Sequence, residues 1–302
     1  MSHDLPSPVG FKMPLGWRTN PLWEKLSEPF DDLLAQFADW GLSHVEYSTG
    51  GCREQAERKR ARSEAEACVE RGLRTNLHPY MEEGEDACFY EVDDRCTEAM
   101  NCVIDTAVHA ARRCDGECVI VFHPGSSELP AEAAKQDEHR TKMVERAGRY
   151  LAALEHRLKE ESEPVKAVVE HQVPPGRDEA LMRVGDNFEE LLQLVRGTSL
   201  GLCWDTGHYL RSVDLYGQPE EPPDEMFDRT EYVHLHDVVD GADHRPVTPD
   251  SSRPGAFLRK LWQRGYTGPV TLEYHEEPIL QRGGLEETMQ TTLQALSQWA
   301  EA

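Results

Sequence analysis

The chain predicts a single (β/α)8 TIM barrel spanning residues 1–302, on three observations. Eight short apolar runs alternate with longer amphipathic stretches from one end to the other. No Pro-, Gly- or Ser-rich linker divides them. Residues able to bind metals or move protons recur at the ends of the apolar runs, where this fold builds its active sites.

The eight runs read as buried strands: "VGFKMPLGW" (9–17), "SHVEYSTG" (43–50), "LRTNLHPYM" (73–81), "ECVIVFHPG" (117–125), "VKAVVEHQ" (165–172), "LGLCWDTGH" (200–208), "EYVHLHDVV" (231–239) and "PVTLEYHEE" (269–277). Helical periodicity fills the intervals, as in "DDLLAQFADWGL", "CTEAMNCVIDTAVHAARR" and "LEETMQTTLQALSQWA". Gly41, Gly72, Gly116, Pro164 and Pro269 stand between a helix and the next strand, where a helix must stop. The sixth helix is weak, with only "DEMFDR" to carry it, and "DLYGQPEEPPDE" before it reads as loop. The segments 82–94 and 124–136 read as long loops at the strand ends.

Composition limits the function. Net charge is -24, from 56 acidic and 32 basic residues, of which only 8 are lysines. Such a surface suits a salt-adapted source or an ordinary acidic cytoplasmic enzyme. It gains nothing from counterion release on nucleic acid unless Arg is concentrated on one face. The one basic run, "RKRAR" (58–62), is followed by acids and reads as a solvated helix face. There is no secretory signal and no apolar run long enough to cross a membrane, so a cytoplasmic protein is expected. The 8 cysteines form no Cys-x-x-Cys pair, which points to free thiols. Homo-oligomerisation stays open.

Position then singles out a site. Strand ends carry His78, His123, Glu170, Asp205 with His208, His234 and Glu273. Glu170, Asp205, His234 and Glu273 are spaced 35, 29 and 39 residues apart, each about the length of one β/α unit. Side chains so placed converge on one barrel mouth. Three carboxylates and one imidazole suit Mn²⁺, Zn²⁺, Co²⁺ or Mg²⁺ and disfavour Cu(I). An isolated carboxylate such as Glu273 in "VTLEY" is otherwise expensive to bury. His171, His236, His275 and Glu276 crowd the same ends, but alternation does not require them to point inward.

In order and spacing, "VVEHQ", "CWDTGH", "VHLHD" and "VTLEY" resemble the xylose-isomerase-like barrel superfamily. That superfamily holds sugar and sugar-phosphate isomerases and epimerases together with family-2 apurinic endonucleases. The resemblance runs from "LHPY" to "GYTGPVTLE". It implies a divalent metal held by Glu170, Asp205, His234 and Glu273, with no organic cofactor. Glu170 and Glu273 would be the catalytic carboxylates, and the substrate a small carbohydrate. His78, His123, His208 and His244 would touch substrate or a second metal.

The endonuclease branch uses the histidines of "LHPY", "FHPGS" and "DTxH", and all three are present. It also has an Asp-x-His that binds zinc. Here Asp243 and His244 are adjacent, and Ala242 stands two residues before His244. That departure and the net charge favour proton transfer on a small carbohydrate over phosphodiester cleavage. A barrel that binds a metabolite without turning it over is the third class, and the pair Glu170 and Glu273 argues against it. No Gly-rich phosphate cradle is evident, and Arg177, Arg183, Arg211 and Arg245 are unranked candidates for an anion contact.

Overall fold

Eight parallel strands close on themselves: β1 (Val9–Met13), β2 (His44–Ser48), β3 (Arg74–His78), β4 (Cys118–Phe122), β5 (Val165–Glu170), β6 (Gly201–Asp205), β7 (Thr230–Leu235) and β8 (Val270–Leu272). Each pairs with its neighbours in sequence, and β8 closes on β1 through Val9 opposite Val270. The computed structural model describes residues 5–13, 30–49, 55–79, 94–114, 116–128, 130, 135–161, 163–176 and 181–302. Residues 14–17 of the first expected strand, Tyr80, most of the expected 82–94 loop and Arg177 lie outside these.

The helices are α1 (Phe30–Asp39), α2 (Gln55–Val69), α3 (Asp94–Cys114), α4 (Gln136–Leu158), α5 (Phe188–Val195), α6 (Thr206–Tyr216), α7 (Asp224–Arg229), α8 (Ser252–Gln263), α9 (Glu276–Gln281) and α10 (Leu285–Glu301). Barrel strands are covered on both faces, which is why they read as near-continuous apolar runs. Their outward residues join the helices in one core. Trp204 is the clearest case, with ring centroids 5.1 Å from Phe227 and 5.2 Å from Phe257. Their inward residues form a second, smaller core of Val119, Val121, Val168, Cys203 and Tyr232.

The period of two along a strand then places the site. One step of two beyond the inner core come His123 above Val121, Glu170 above Val168, Asp205 above Cys203 and His234 above Tyr232. The same step gives Lys12, Glu46, His78 and Glu273 on the other four strands or just past their ends. Every barrel strand therefore delivers one polar residue to the same end.

The structure corrects the sequence reading in three places. The run 200–208 does not stay extended. It turns helical at Thr206, and α6 occupies much of the stretch read as strand end and loop. Asp205 starts this helix by accepting from the His208 N–H at 2.6 Å, and Gly217, at φ 66°, ends it. The expected 124–136 loop contains a strand, Ser126–Glu128, antiparallel to Leu181–Arg183. The end of the seventh run folds into a hairpin of Asp237–Val239 with Ala242–Arg245. The weak sixth helix is short as expected, six residues in α7. Among the described residues no helix is long and apolar enough to cross a membrane.

A candidate metal centre at the barrel mouth

His234, at the end of β7, stands at the middle of the cluster. Its Nδ1 lies 2.8 Å from Glu273 Oε2, 3.5 Å from Glu170 Oε1 and 3.8 Å from Asp205 Oδ2. Donors at about 2.0–2.1 Å from one tetrahedral ion lie about 3.3 Å from each other, and the three distances to His234 Nδ1 straddle that spacing. The side chains of Glu170, Asp205 and His234 are fully buried, and that of Glu273 is 12 % exposed. Glu170 Oε1 makes no hydrogen bond among the described residues, and His234 Nδ1 and Glu273 Oε2 face each other out of hydrogen-bond alignment. Buried polar atoms left like this are costly unless a ligand completes them. The donor set fits a divalent cation.

What fixes the inner atoms is what holds the outer ones. Glu170 Oε2 lies 2.8 Å from His78 Nε2 and 3.2 Å from His123 Nε2. Asp205 Oδ1 accepts from the His208 N–H and lies 2.8 Å from His236 Nε2. Glu273 Oε1 lies 2.5 Å from Lys12 Nζ and 3.2 Å from His244 Nε2. On the imidazole, His234 Nε2 faces both oxygens of buried Glu46 at 3.0 and 3.1 Å. Glu170 and Glu273 thus each have one oxygen held by two nitrogens and the other turned to the centre, while His236 Nε2 lies within 3.1 Å of both Asp205 oxygens. Such outer contacts orient metal ligands and set their tautomers.

The quartet "DTGH" now reads residue by residue. Asp205 serves the centre with one oxygen and the helix with the other. Thr206 Oγ1 ties β6 to β7 through the carbonyls of His234 and His236, at 3.2 and 3.0 Å. Gly207 packs against the His236 ring, leaving no room for a Cβ. His208 Nδ1 donates to the His171 carbonyl at 2.9 Å. Its Nε2 is buried and without a hydrogen bond among the described residues, and Asp205 and Glu170 raise the pKa of the ring against its burial.

Electrostatics follow from this packing. Burial alone would raise the Glu170 pKa, but the charges of His123, His234 and His78 hold it well below the usual carboxylate range. Burial also works against ionised Glu273, and Lys12 and His234 overcome it, holding that carboxyl well below its usual value. Asp205 is lowered against its burial by His208 and His236. Burial would depress His234, yet Cys203, Glu46, Glu273 and Glu170 raise it well above the ordinary imidazole value. For His244, burial is outweighed by the bonds to Asp243 and Glu273, and its pKa is pushed up to about 10. His78 goes the other way, lowered to about 4 chiefly by burial.

All eight residues expected at the site are brought together. His244 arrives from the hairpin with its Nε2 3.2 Å from Glu273 Oε1 and its Nδ1 3.0 Å from Asp243 Oδ1. Its backbone sits at φ 52°, a left-handed conformation that a non-glycine residue adopts only when its surroundings enforce it. Sequence reasoning missed Lys12 and Glu46 and left His236 at the periphery. Lys12 in "VGFKM" and Glu46 in "HVEYS" carry the same signal as Glu273, a charge inside a buried strand. His171 stays outside, with neither ring nitrogen bonded among the described residues.

Barrel and site together define a class, and the chain belongs to the family described as xylose isomerase-like TIM barrel, whose model matches residues 34–299. Solved structures share this fold. A xylose isomerase domain protein from Alicyclobacillus acidocaldarius is 18 % identical with a TM-score of 0.61, covering 98 % of this chain and 99 % of that one. D-allulose 3-epimerase from Methylomonas sp. is 14 % identical with a TM-score of 0.58, covering 100 % and 99 %. D-psicose 3-epimerase from Clostridium cellulolyticum H10, solved with D-tagatose, is 11 % identical with a TM-score of 0.60, covering 97 % and 98 %. No curated protein matches the chain significantly.

Proposed function

We propose that the protein is a divalent-metal-dependent isomerase or epimerase acting on a sugar, sugar phosphate or related polyol. The observation that carries this reading is the convergence of Glu170 Oε1, Asp205 Oδ2 and Glu273 Oε2 on His234 Nδ1, each held from behind. The epimerases named among the solved structures lend it support. A bound ion would polarise a substrate carbonyl or hydroxyl and acidify the neighbouring C–H. Mn²⁺, Zn²⁺, Co²⁺ and Mg²⁺ all suit this donor set.

Glu170 and Glu273 reach the centre from two different strands, β5 and the end of β8. One takes the carbon-bound proton and the other returns one. Carboxylates held this acidic can do so only where the adjacent oxygen is polarised, which ties the step to the centre. His123, Glu273 and His244 keep part of their side chains open, at 20 %, 12 % and 13 % exposure, so substrate enters over them. His208 Nε2, buried and without a hydrogen bond among the described residues, is placed to meet a substrate hydroxyl. The test is incubation of the metal-loaded protein with ketohexoses in heavy water. Chelator-sensitive exchange or migration of a carbon-bound hydrogen, abolished by Glu273→Gln, supports the reading. No change in any sugar tested, together with tight binding of one of them, would favour a binding barrel.

A second reading is phosphodiester cleavage of the apurinic endonuclease type. It is favoured by two further donor groups beside the central one, His78, His123 and Glu170 on one side and His208, His236 and His244 on the other. Against it stand the net charge of -24 and Ala242 where the endonuclease pattern has a metal-binding Asp. Chelator-sensitive nicking of abasic duplex DNA, weakening steeply with salt, would select it.

A further inference from the structure

His236 stands among three histidines whose ring nitrogens lie close enough to hold an ion, and its hydrogen bonds decide which role it has. The His244 backbone N–H donates to His236 Nδ1 at 2.7 Å. A nitrogen that accepts this bond carries no hydrogen, so in the neutral ring the proton is on Nε2. That N–H points at Asp205, 2.8 Å from Oδ1 and 3.1 Å from Oδ2. To bind an ion through Nε2, the ring would need its proton on Nδ1, where it would meet the His244 N–H. We infer that His236 is not a metal ligand but a positioning residue, which with Gly207 fixes the orientation of the Asp205 carboxylate beside the centre.

Three other features support the assignment. His236 is fully buried, and its ring is stacked on that of His244 at 4.2 Å and 10°. Gly207 leaves the space that the ring occupies, since a Cβ there would overlap Nδ1 and Cε1. The left-handed backbone at His244 belongs to the residue whose N–H holds Nδ1. The hairpin, His236, Asp205 and the centre therefore form one line of contacts. The glycine of "DTGH" and the second histidine of "VHLHD" are complementary parts of it.

The inference rests on the metal-site reading, and Co²⁺ alone serves as the probe. Affinity is measured by titration calorimetry and the ligand field by the visible Co²⁺ absorption, with the fold of each variant checked by thermal melting. His236→Leu is expected to weaken Co²⁺ binding about ten- to a hundredfold. His236→Gln, whose amide N–H reaches toward the place of Nε2, recovers most of the loss and the native spectrum. His236→Asn, whose amide is shorter, does not. Gly207→Ala reproduces the loss with His236 still present. Equal Co²⁺ affinity in wild type and His236→Leu would overturn the inference. So would His236→Gln binding no better than His236→Leu, the result expected of a lost ligand. Failure of the wild-type protein to bind Co²⁺ would instead overturn the metal-site reading itself.

Discussion

Glu46→Gln removes the charge behind His234 and leaves every proposed ligand in place. Both Glu46 oxygens lie within 3.1 Å of His234 Nε2, and both side chains are fully buried. The carboxylate holds the Nε2 proton, so Nδ1 presents its lone pair to the centre. Gln can still accept that hydrogen bond through its carbonyl, but without charge, and its NH₂ group can favour the other tautomer. Loss of such an outer contact costs about ten- to a hundredfold in metal affinity, or about 1.4–2.8 kcal/mol. We expect about tenfold for Glu46→Gln and nearer a hundredfold for Glu46→Ala. The assay is competition for Co²⁺ or Zn²⁺ against a chelator of known affinity at fixed pH. Affinity within twofold of wild type for both variants would refute the argument that Glu46 sets the His234 tautomer.

Metal affinity should rise with pH. His234 is held well above the ordinary imidazole value against its burial, so a proton on Nδ1 competes with the ion until that value is passed. Calorimetry in buffers of different ionisation enthalpy should show proton release on binding, and a pH-independent affinity would contradict this. Fold stability should fall as pH drops from about 6.5 toward about 4. Buried His44 and His171 are both lowered to about 4, chiefly by burial, so across that window the unfolded chain binds more protons than the folded one. Urea unfolding across the window tests it, and a flat profile would count against neutral buried rings. Trp204→Ala should cost about 3–5 kcal/mol. Its ring fills the layer between barrel and helices without touching the centre, so Co²⁺ binding in the folded fraction should be unchanged.

The eight-strand pattern was legible because strands covered on both faces must be apolar throughout, and helices between them must be amphipathic. The convergence of Glu170, Asp205, His234 and Glu273 was legible because charges at the ends of such strands have few inexpensive places to go. Lys12 and Glu46 send the same signal but sit in the first two strands, away from the motifs that drew attention. His236 was not legible. Its role depends on the His244 N–H reaching back across the hairpin, a contact that alternation along one strand cannot reveal. Helix α6 was hidden for a related reason: Asp205 reads as the end of a strand and is also the cap of a helix, and only the backbone shows both.

The most direct measurement is the metal content of purified protein, paired with anomalous diffraction to place each ion. The account predicts one divalent ion per chain, bound by Glu170, Asp205, His234 and Glu273, and lost in Glu170→Gln combined with Glu273→Gln. Absence of any ion after loading, or an ion bound away from these four, would contradict it. Additional ions at His78–His123–Glu170 and at His208–His244 would transfer the case to phosphodiester cleavage.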